Sequence, residues 1–227
     1  ISTHLPEMST ETTDPQDLIR FTLIGRPNVG KSTLTNCMLS EQRVIVAPHA
    51  GTTRDSTDHH IARDQQPYCL TDTAGLKKIS KLKDSIDYYS YLRTLKSLRA
   101  CHVAVFMIDA HEGITDSDRR LLNMVVESGK ALVIAINKWD HLSVEQRQTI
   151  RDTLNSQLQF VSFAPPQLIS AKYGSGVGSL WSHICQAYAA ATCPLPPPQL
   201  TRVLQQALEH HSPPLVSGHA VKLRYAH

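Results

Sequence analysis

Apolar residues in this chain fall into short runs separated by longer, periodically patterned stretches. Residues 1–17 are the exception. They are rich in Thr, Ser, Pro and acidic residues, carry no apolar period, and read as a polar linker arm. From Leu18 onward, runs of strand length occur at 21–24, 68–70, 103–108, 132–136 and 167–169. Two of these, VAVFMI and LVIAI, are continuous rather than alternating. Continuous runs suit strands buried on both faces of a parallel sheet. Helical patterns lie between them. One covers 31–40, after a Gly-rich turn; another covers 84–100, with Ile86, Tyr89, Leu92 and Leu95 at helical spacing. Further helices are predicted at 117–128, at 143–158 behind the near capping box Ser143-Val144-Glu145-Gln146, and at 178–190. The alternation predicts a doubly wound α/β domain with a mostly parallel sheet. Residues 57–70 read as two strands joined by a turn at Asp64-Gln65-Gln66-Pro67, which adds one antiparallel edge strand.

The pattern changes again after 192. Residues 193–200, CPLPPPQL, predict a stiff, extended linker. Residues 201–211 predict a helix capped by Thr201, Pro213-Pro214 breaks it, and 216–225 has strand character. About 27 residues are too few for an independent core, so 201–227 reads as the opening of a second domain. The chain also starts without Met, and both observations suggest a piece of something longer. The expected organisation is an arm (1–17), one α/β domain (18–192), a linker (193–200) and an incomplete domain (201–227).

Composition narrows the classes. At 227 residues, and roughly 150 per domain, between one and two domains are expected. Hydrophobic residues at 41% against 19% charged support a core rather than disorder. The balance of 23 Lys+Arg and 20 Asp+Glu excludes a nucleic-acid binder held by bulk charge. Only local stretches such as Lys77-Lys78 and Lys81-Lys83 remain as candidates for touching a phosphate backbone, and solvated charge is the commoner reading of such stretches. The 12 His show no His-x-x-x-His pair beside an acid, so zinc-enzyme chemistry is not indicated. The five cysteines, Cys37, Cys69, Cys101, Cys185 and Cys193, form no C-x-x-C and are expected to be reduced thiols of a cytoplasmic protein. No apolar window approaches membrane-spanning length, and no signal pattern opens the chain.

Residues 25–32, GRPNVGKS, fit G-x-x-x-x-G-K-[ST] between a strand and a helix. Glycines let the backbone wrap tightly, so N–H groups of Asn28, Val29, Gly30, Lys31, Ser32 and Thr33 can face a phosphate chain at the positive end of the helix. Lys31 can reach the β- and γ-phosphates, and the Ser32 hydroxyl can ligate Mg²⁺. This motif predicts a nucleotide but does not choose the base.

Other segments make that choice. Asp72-Thr73-Ala74-Gly75 follows a strand; Asp72 can hold the Mg²⁺ shell and the Gly75 N–H can approach a γ-phosphate, although alone this segment reads as a turn. Asn137-Lys138-Trp139-Asp140 follows a buried strand. The Asp140 carboxylate can accept from N1–H and the exocyclic amine of guanine, a donor pair that adenine lacks. Asn137 can tie loops together, and the Lys138 stem can lie over the base. Ser170-Ala171-Lys172 follows a short strand and can offer N–H groups to guanine O6. In 49–58, a Thr hydroxyl can complete the Mg²⁺ shell when γ-phosphate is present; Thr52 and Thr53 both qualify, with Thr53 favoured, and an ordinary loop is the alternative. Each main motif follows a strand, where open α/β sheets bind ligands.

Taken together, GRPNVGKST, AGTTRD, DTAGLKK, YLRTLKSL, DAHEGITDSD, GKALVIAINKWD and ISAKYGSGV resemble the Der (EngA) GTPases over about 18–227. That family has two tandem GTPase domains and a C-terminal KH-like domain, and its members are ribosome-assembly factors. The resemblance implies a Ras-like P-loop GTPase domain followed by a truncated α+β KH-like segment. It implies GTP hydrolysis to GDP with Mg²⁺, coupled to the large ribosomal subunit and its RNA, in a cytoplasmic, monomeric protein. Leu76 stands where Ras-like switches carry the Gln that orients water, so slow intrinsic turnover is expected. Asn28 resembles the Asn that ligates K⁺ in potassium-activated relatives. Catalysis would rest on Lys31, Thr53, Gly75 and, with K⁺, Asn28. Two rival readings are a nucleotide-gated RNA-binding module in which hydrolysis is a slow timer, and an ATP-using P-loop kinase, against which Asp140 argues.

Overall fold

Parallel strands that pack helices on both faces must alternate their side chains between two cores, and this chain does so. The structure, a computed structural model, describes residues 18–40, 45–46, 58–71, 86–211 and 213. The predicted strand at 216–225, the switch segment 49–57 and the motif 72–76 lie outside the described residues, as do Lys77, Lys78, Lys81 and Lys83.

Among the described residues, seven strands form one sheet: β1 (Ile19–Ile24), β2 (Ile45–Val46), β3 (His59–Arg63), β4 (Gln66–Leu70), β5 (Val103–Asp109), β6 (Ala131–Asn137) and β7 (Gln167–Leu168). Their order is β2-β3-β4-β1-β5-β6-β7. β4, β1, β5, β6 and β7 pair in parallel, and β3 runs antiparallel to β4 and to β2. The expected reversed strand is therefore β3, but the outermost strand is the two-residue β2, which is too short to leave a periodic signal. The β3–β4 turn is tighter than the four residues anticipated. Asp64 and Gln65 both take positive φ (49° and 67°), the geometry of a two-residue hairpin whose twist matches the strands.

Among the described residues, the α-helices are α1 (Lys31–Ser40), α2 (Ile86–Ala100), α3 (Asp116–Glu127), α4 (Val144–Gln157), α5 (Val177–Thr192) and α6 (Pro197–His210). α4 starts as its capping box foretold: Ser143 Oγ accepts from Gln146 N, and Gln146 Oε1 accepts from Ser143 N at 2.8 Å. Val103, Val105, Met107, Val133 and Ala135 face one core, with Leu34 and Met38 of α1 and Leu180, Trp181 and Ile184 of α5. Ala104, Phe106, Ile108, Leu132, Ile134 and Ile136 face the other, with Leu98 of α2, Leu122 and Val125 of α3, and Leu154 of α4. Strand alternation thus sorts neighbouring residues into opposite layers. Ile134, on β6, is fully buried. Ile134→Val removes one methylene there and should lower unfolding free energy by about 0.5–1.5 kcal/mol, read as a shift in urea midpoint without a change in slope.

The chain separates into two compact units, Ile1–Ala191 and Thr192–His227. In the second unit, α6 starts at Pro197 with Pro196 as its cap residue. This corrects the expected linker 193–200 and the Thr201 cap. A first helical turn has no intrahelical use for its N–H groups, and proline's fixed φ suits it, so the Pro run starts the helix instead of preceding it. Thr201 lies within the helix, and no residue of α6 is buried. Among the described residues, no helix is long and apolar enough to cross a membrane. None of the five cysteines forms a disulfide. Burial pushes the Cys69 and Cys101 thiols up to about 11, which keeps them protonated and inert.

Candidate functional site

The chain leaves β1, builds strands on one side, and returns to β5 on the other. That reversal opens a crevice at the carboxyl ends of β1 and β5, the place where such sheets hold ligands. The loop 25–30 occupies it. Gly25 and Gly30 have φ of +150° and +103°, and Asn28 has +65°. A Cβ on Gly25 would stand 2.5 Å from the Met107 carbonyl oxygen, and one on Gly30 would collide with the Asn137 amide nitrogen. Both positions therefore require glycine for space as well as for conformation. Val29 is buried and pins the loop, while Asn28, Ser32 and Thr33 are exposed at its rim.

Lys31 opens α1 and folds back across this loop. Its Nζ donates to the Gly25 carbonyl at 2.7 Å and to the Arg26 carbonyl at 2.5 Å. Burial pushes its ammonium down to about 8, and the charge of Asp118 opposes that shift. A desolvated cation beside the N-terminus of a helix attracts an anion.

Asn137 ends β6 and joins three loops. Its Nδ2 donates to the Val29 carbonyl at 2.8 Å, and its Oδ1 accepts from Ala171 N at 2.9 Å. The phosphate loop, the 137–140 segment and the 170–172 segment thereby meet at one buried amide. Lys138 takes φ +65° and pairs with Asp109 at 2.5 Å; Asp109 also accepts from His111 N at 3.0 Å. Lys138 is thus held from its own side by a residue at the end of β5. Trp139 N donates to the Ile169 carbonyl at 3.3 Å, and the Arg151 guanidinium lies 5.7 Å from the Trp139 ring centroid. Asp140 sits half-buried in the short turn Trp139–His141. Ser170 and Ala171 are buried and Lys172 is exposed, its Nζ 5.0 Å from the Tyr173 ring centroid. In this conformation the Ser170 N–H donates to the Ser175 carbonyl at 2.8 Å and the Ala171 N–H to Asn137. The expected donation to guanine O6 from those two groups therefore requires an exchange of partners.

The structure thus brings together residues 28–33, Asn137, Lys138, Asp140 and Ser170 to Lys172. Thr53, Asp72 and Gly75 lie outside the described residues. Sequence reading missed one set of contacts. Arg26, inside the phosphate loop, donates from Nε to Asp118 Oδ2 at 2.7 Å and from Nη1 to Glu112 Oε2 at 2.8 Å. Asp118 also accepts from Thr115 N at 3.0 Å and Thr115 Oγ1 at 2.8 Å, closing the capping box of α3. The [ST]-x-x-[DE] spacing of Thr115 and Asp118 was the available signal for that cap, though not for its arginine.

The profile of a family described as 50S ribosome-binding GTPase matches residues 20–138. GTPase Der of Pectobacterium carotovorum subsp. carotovorum is 46% identical over 222 residues, covering 97% of this chain and 45% of that protein. GTPase Der of Coxiella burnetii is 44% identical over 224 residues, covering 99% of this chain and 50% of that protein. The chain therefore spans about half the length of these curated relatives. Among solved structures, Aquifex aeolicus Era bound to GDP and aluminium fluoride superimposes with a TM-score of 0.58 at 27% identity, over 75% of this chain and 57% of that one. The elongation factor SelB of Methanococcus maripaludis, at 18% identity and a TM-score of 0.57 over 79% of this chain and 35% of that one, shares the fold. A family match over more than half of the 227 residues, on a doubly wound sheet with its phosphate loop at the crevice, settles the lineage: the chain belongs to the 50S ribosome-binding GTPase family.

Proposed function

We propose that this chain binds GTP and GDP and hydrolyses GTP as a switch acting on the large ribosomal subunit and its RNA in the cytoplasm. The observation that carries the nucleotide part is the Asn137 amide, which joins the phosphate loop at Val29 to the Ala171 segment from the end of the strand that leads into the turn holding Asp140. The loop amides of 28–33 and the Lys31 ammonium would take the phosphates, and the Asp140 carboxylate would read guanine. The ribosomal part rests on the family description and on the relatives called GTPase Der. Era, a neighbour in fold, has been solved in complex with 16S ribosomal RNA.

The residues present suit the metal that this family implies. Ser32 offers an exposed hydroxyl at the start of α1, an oxygen donor of the kind Mg²⁺ takes. Thr53 and Asp72 are the proposed further ligands, with Gly75 at the γ-phosphate. When bound, Mg²⁺ supplies neutralisation of phosphate charge. Asn28, exposed at the loop rim with a side-chain carbonyl, is the proposed ligand for K⁺. With Leu76 where a water-orienting Gln stands in Ras-like switches, added positive charge is the remaining source of transition-state stabilisation.

The test is phosphate release from GTP and from ATP by the purified chain, in KCl and in NaCl at equal ionic strength. GTP turnover should exceed ATP turnover, and KCl should raise the GTP rate by about tenfold or more over NaCl. Asn28→Ala should remove the potassium effect while GDP still binds. Equal rates in both salts would refute the role of Asn28; equal use of both nucleotides would refute the guanine assignment.

A further inference from the structure

The carboxylate of Asp118 is fully buried, with no exposure of its side chain, and it lies under the phosphate loop. Capping α3 does not explain its charge, because a neutral side-chain oxygen can accept from Thr115 as well. Two cations of the loop do explain it. Arg26 donates to it directly at 2.7 Å, and its field acts on Lys31. Both carbonyls that receive the Lys31 ammonium, Gly25 and Arg26, belong to the segment that Arg26 anchors. A physical chain runs from the first turn of α3, through Asp118 and the Arg26 side chain, to the Arg26 backbone and then to Lys31. The remaining polar atoms match as well: Asp118 Oδ1 and Arg26 Nη2 are buried acceptor and donor on the same two partners, each without another hydrogen bond. Together they have the makings of a two-pronged arginine–carboxylate pair. Glu112 is more than half exposed, so its bond to Arg26 is a screened, weaker addition.

We propose that Asp118, acting through Arg26, is the positioning residue that holds the phosphate loop and Lys31 in register for a nucleoside di- or triphosphate. The inference rests on the guanine-nucleotide reading of the site and adds a residue to it. Asp118 touches no phosphate; it sets where the Gly25 and Arg26 carbonyls stand, and therefore from where Lys31 departs. A ligand without phosphates has no use for this arrangement.

The experiment compares GDP with guanosine as competitors of a fluorescent GDP analogue, on the whole chain. The readout is the preference for GDP, the guanosine Kd divided by the GDP Kd. Asp118→Asn keeps an oxygen for the α3 cap but removes the charge, and Arg26→Met keeps the stem but removes the fork. Each should lower the preference about tenfold, the scale of one charge-assisted hydrogen bond, with guanosine affinity unchanged. The double variant R26M/D118N should lose no more than either single variant, because both act through one contact. It also buries no unpaired charge, so it keeps the test available if a single variant fails to fold. Arg26→Lys should restore part of the loss. A merely structural pair would weaken guanosine and GDP alike, or neither. A preference within twofold of the parent in folded variants, or equal loss for both ligands, overturns the proposal. Failure of the parent chain to bind GDP would overturn the guanine-nucleotide reading instead.

Discussion

Replacing Lys31 with alanine should raise the Kd for GDP and GTP by about a hundredfold to ten-thousandfold, with little change in thermal unfolding of the nucleotide-free chain. Two contacts set the size. Hydrogen bonds to charged groups contribute about 1.5–3 kcal/mol each, and the ammonium can make two with phosphate oxygens, so roughly 3–6 kcal/mol is at stake. The bonds that it relinquishes, to the Gly25 and Arg26 carbonyls, are lost with it in the variant. Burial has already taken this ammonium partly out of water, which makes the phosphate its natural partner. Fold stability should barely change, because the two carbonyls stand in a half-buried loop that water can reach. Isothermal titration of GDP into parent and variant, beside their melting curves, checks both halves. Retained tight binding by a folded variant contradicts the assignment of Lys31.

Asp140→Asn should exchange the base that the site accepts. Guanine presents N1–H and the exocyclic amine, two donors, and a carboxylate can accept both. An amide offers one acceptor and two donors, so its NH₂ group would face the guanine amine donor to donor. Xanthine carries a carbonyl in place of that amine, and the same NH₂ can donate to it while the amide oxygen accepts from N1–H. The expected outcome is GDP binding weaker by about a hundredfold or more, with xanthosine diphosphate gaining by a similar factor. Asp140 occupies a short turn after a fully paired strand, so the isosteric change should leave the backbone in place. Competition with the two diphosphates on parent and variant reads the result directly. An unchanged order of preference would show that the base is read elsewhere.

Much of this framework is legible in the sequence, for a physical reason. β5 and β6 are buried on both faces, so their apolar runs are unbroken, and at seven residues each they are too short for a typical buried helix. α1 runs from Lys31 to Ser40, as its Gly-rich entry indicated. Asn137 ties the loops in the way its position after a core strand suggested. What local pattern could not supply was partnership across the chain. Arg26 and Asp118 are separated by 92 positions, and only the fold makes them neighbours. Lys138 was expected over a base, and nothing in its neighbourhood announced Asp109. β2 is two residues long, below any period that could reveal it. α6 was misplaced because proline is a breaker inside a helix but a good first residue, and composition alone does not distinguish the two uses.

If one site, assembled by Asn137, holds a phosphate chain and a guanine together, nucleotides that differ only in the base must bind it unequally. Displacement of a fluorescent GDP analogue from the parent chain by unlabelled GDP and by ADP tests it most directly, since the two competitors share every phosphate and differ in the base. GDP should displace the probe at a concentration at least about a hundredfold lower than ADP; equal displacement by the two would contradict a guanine-reading site.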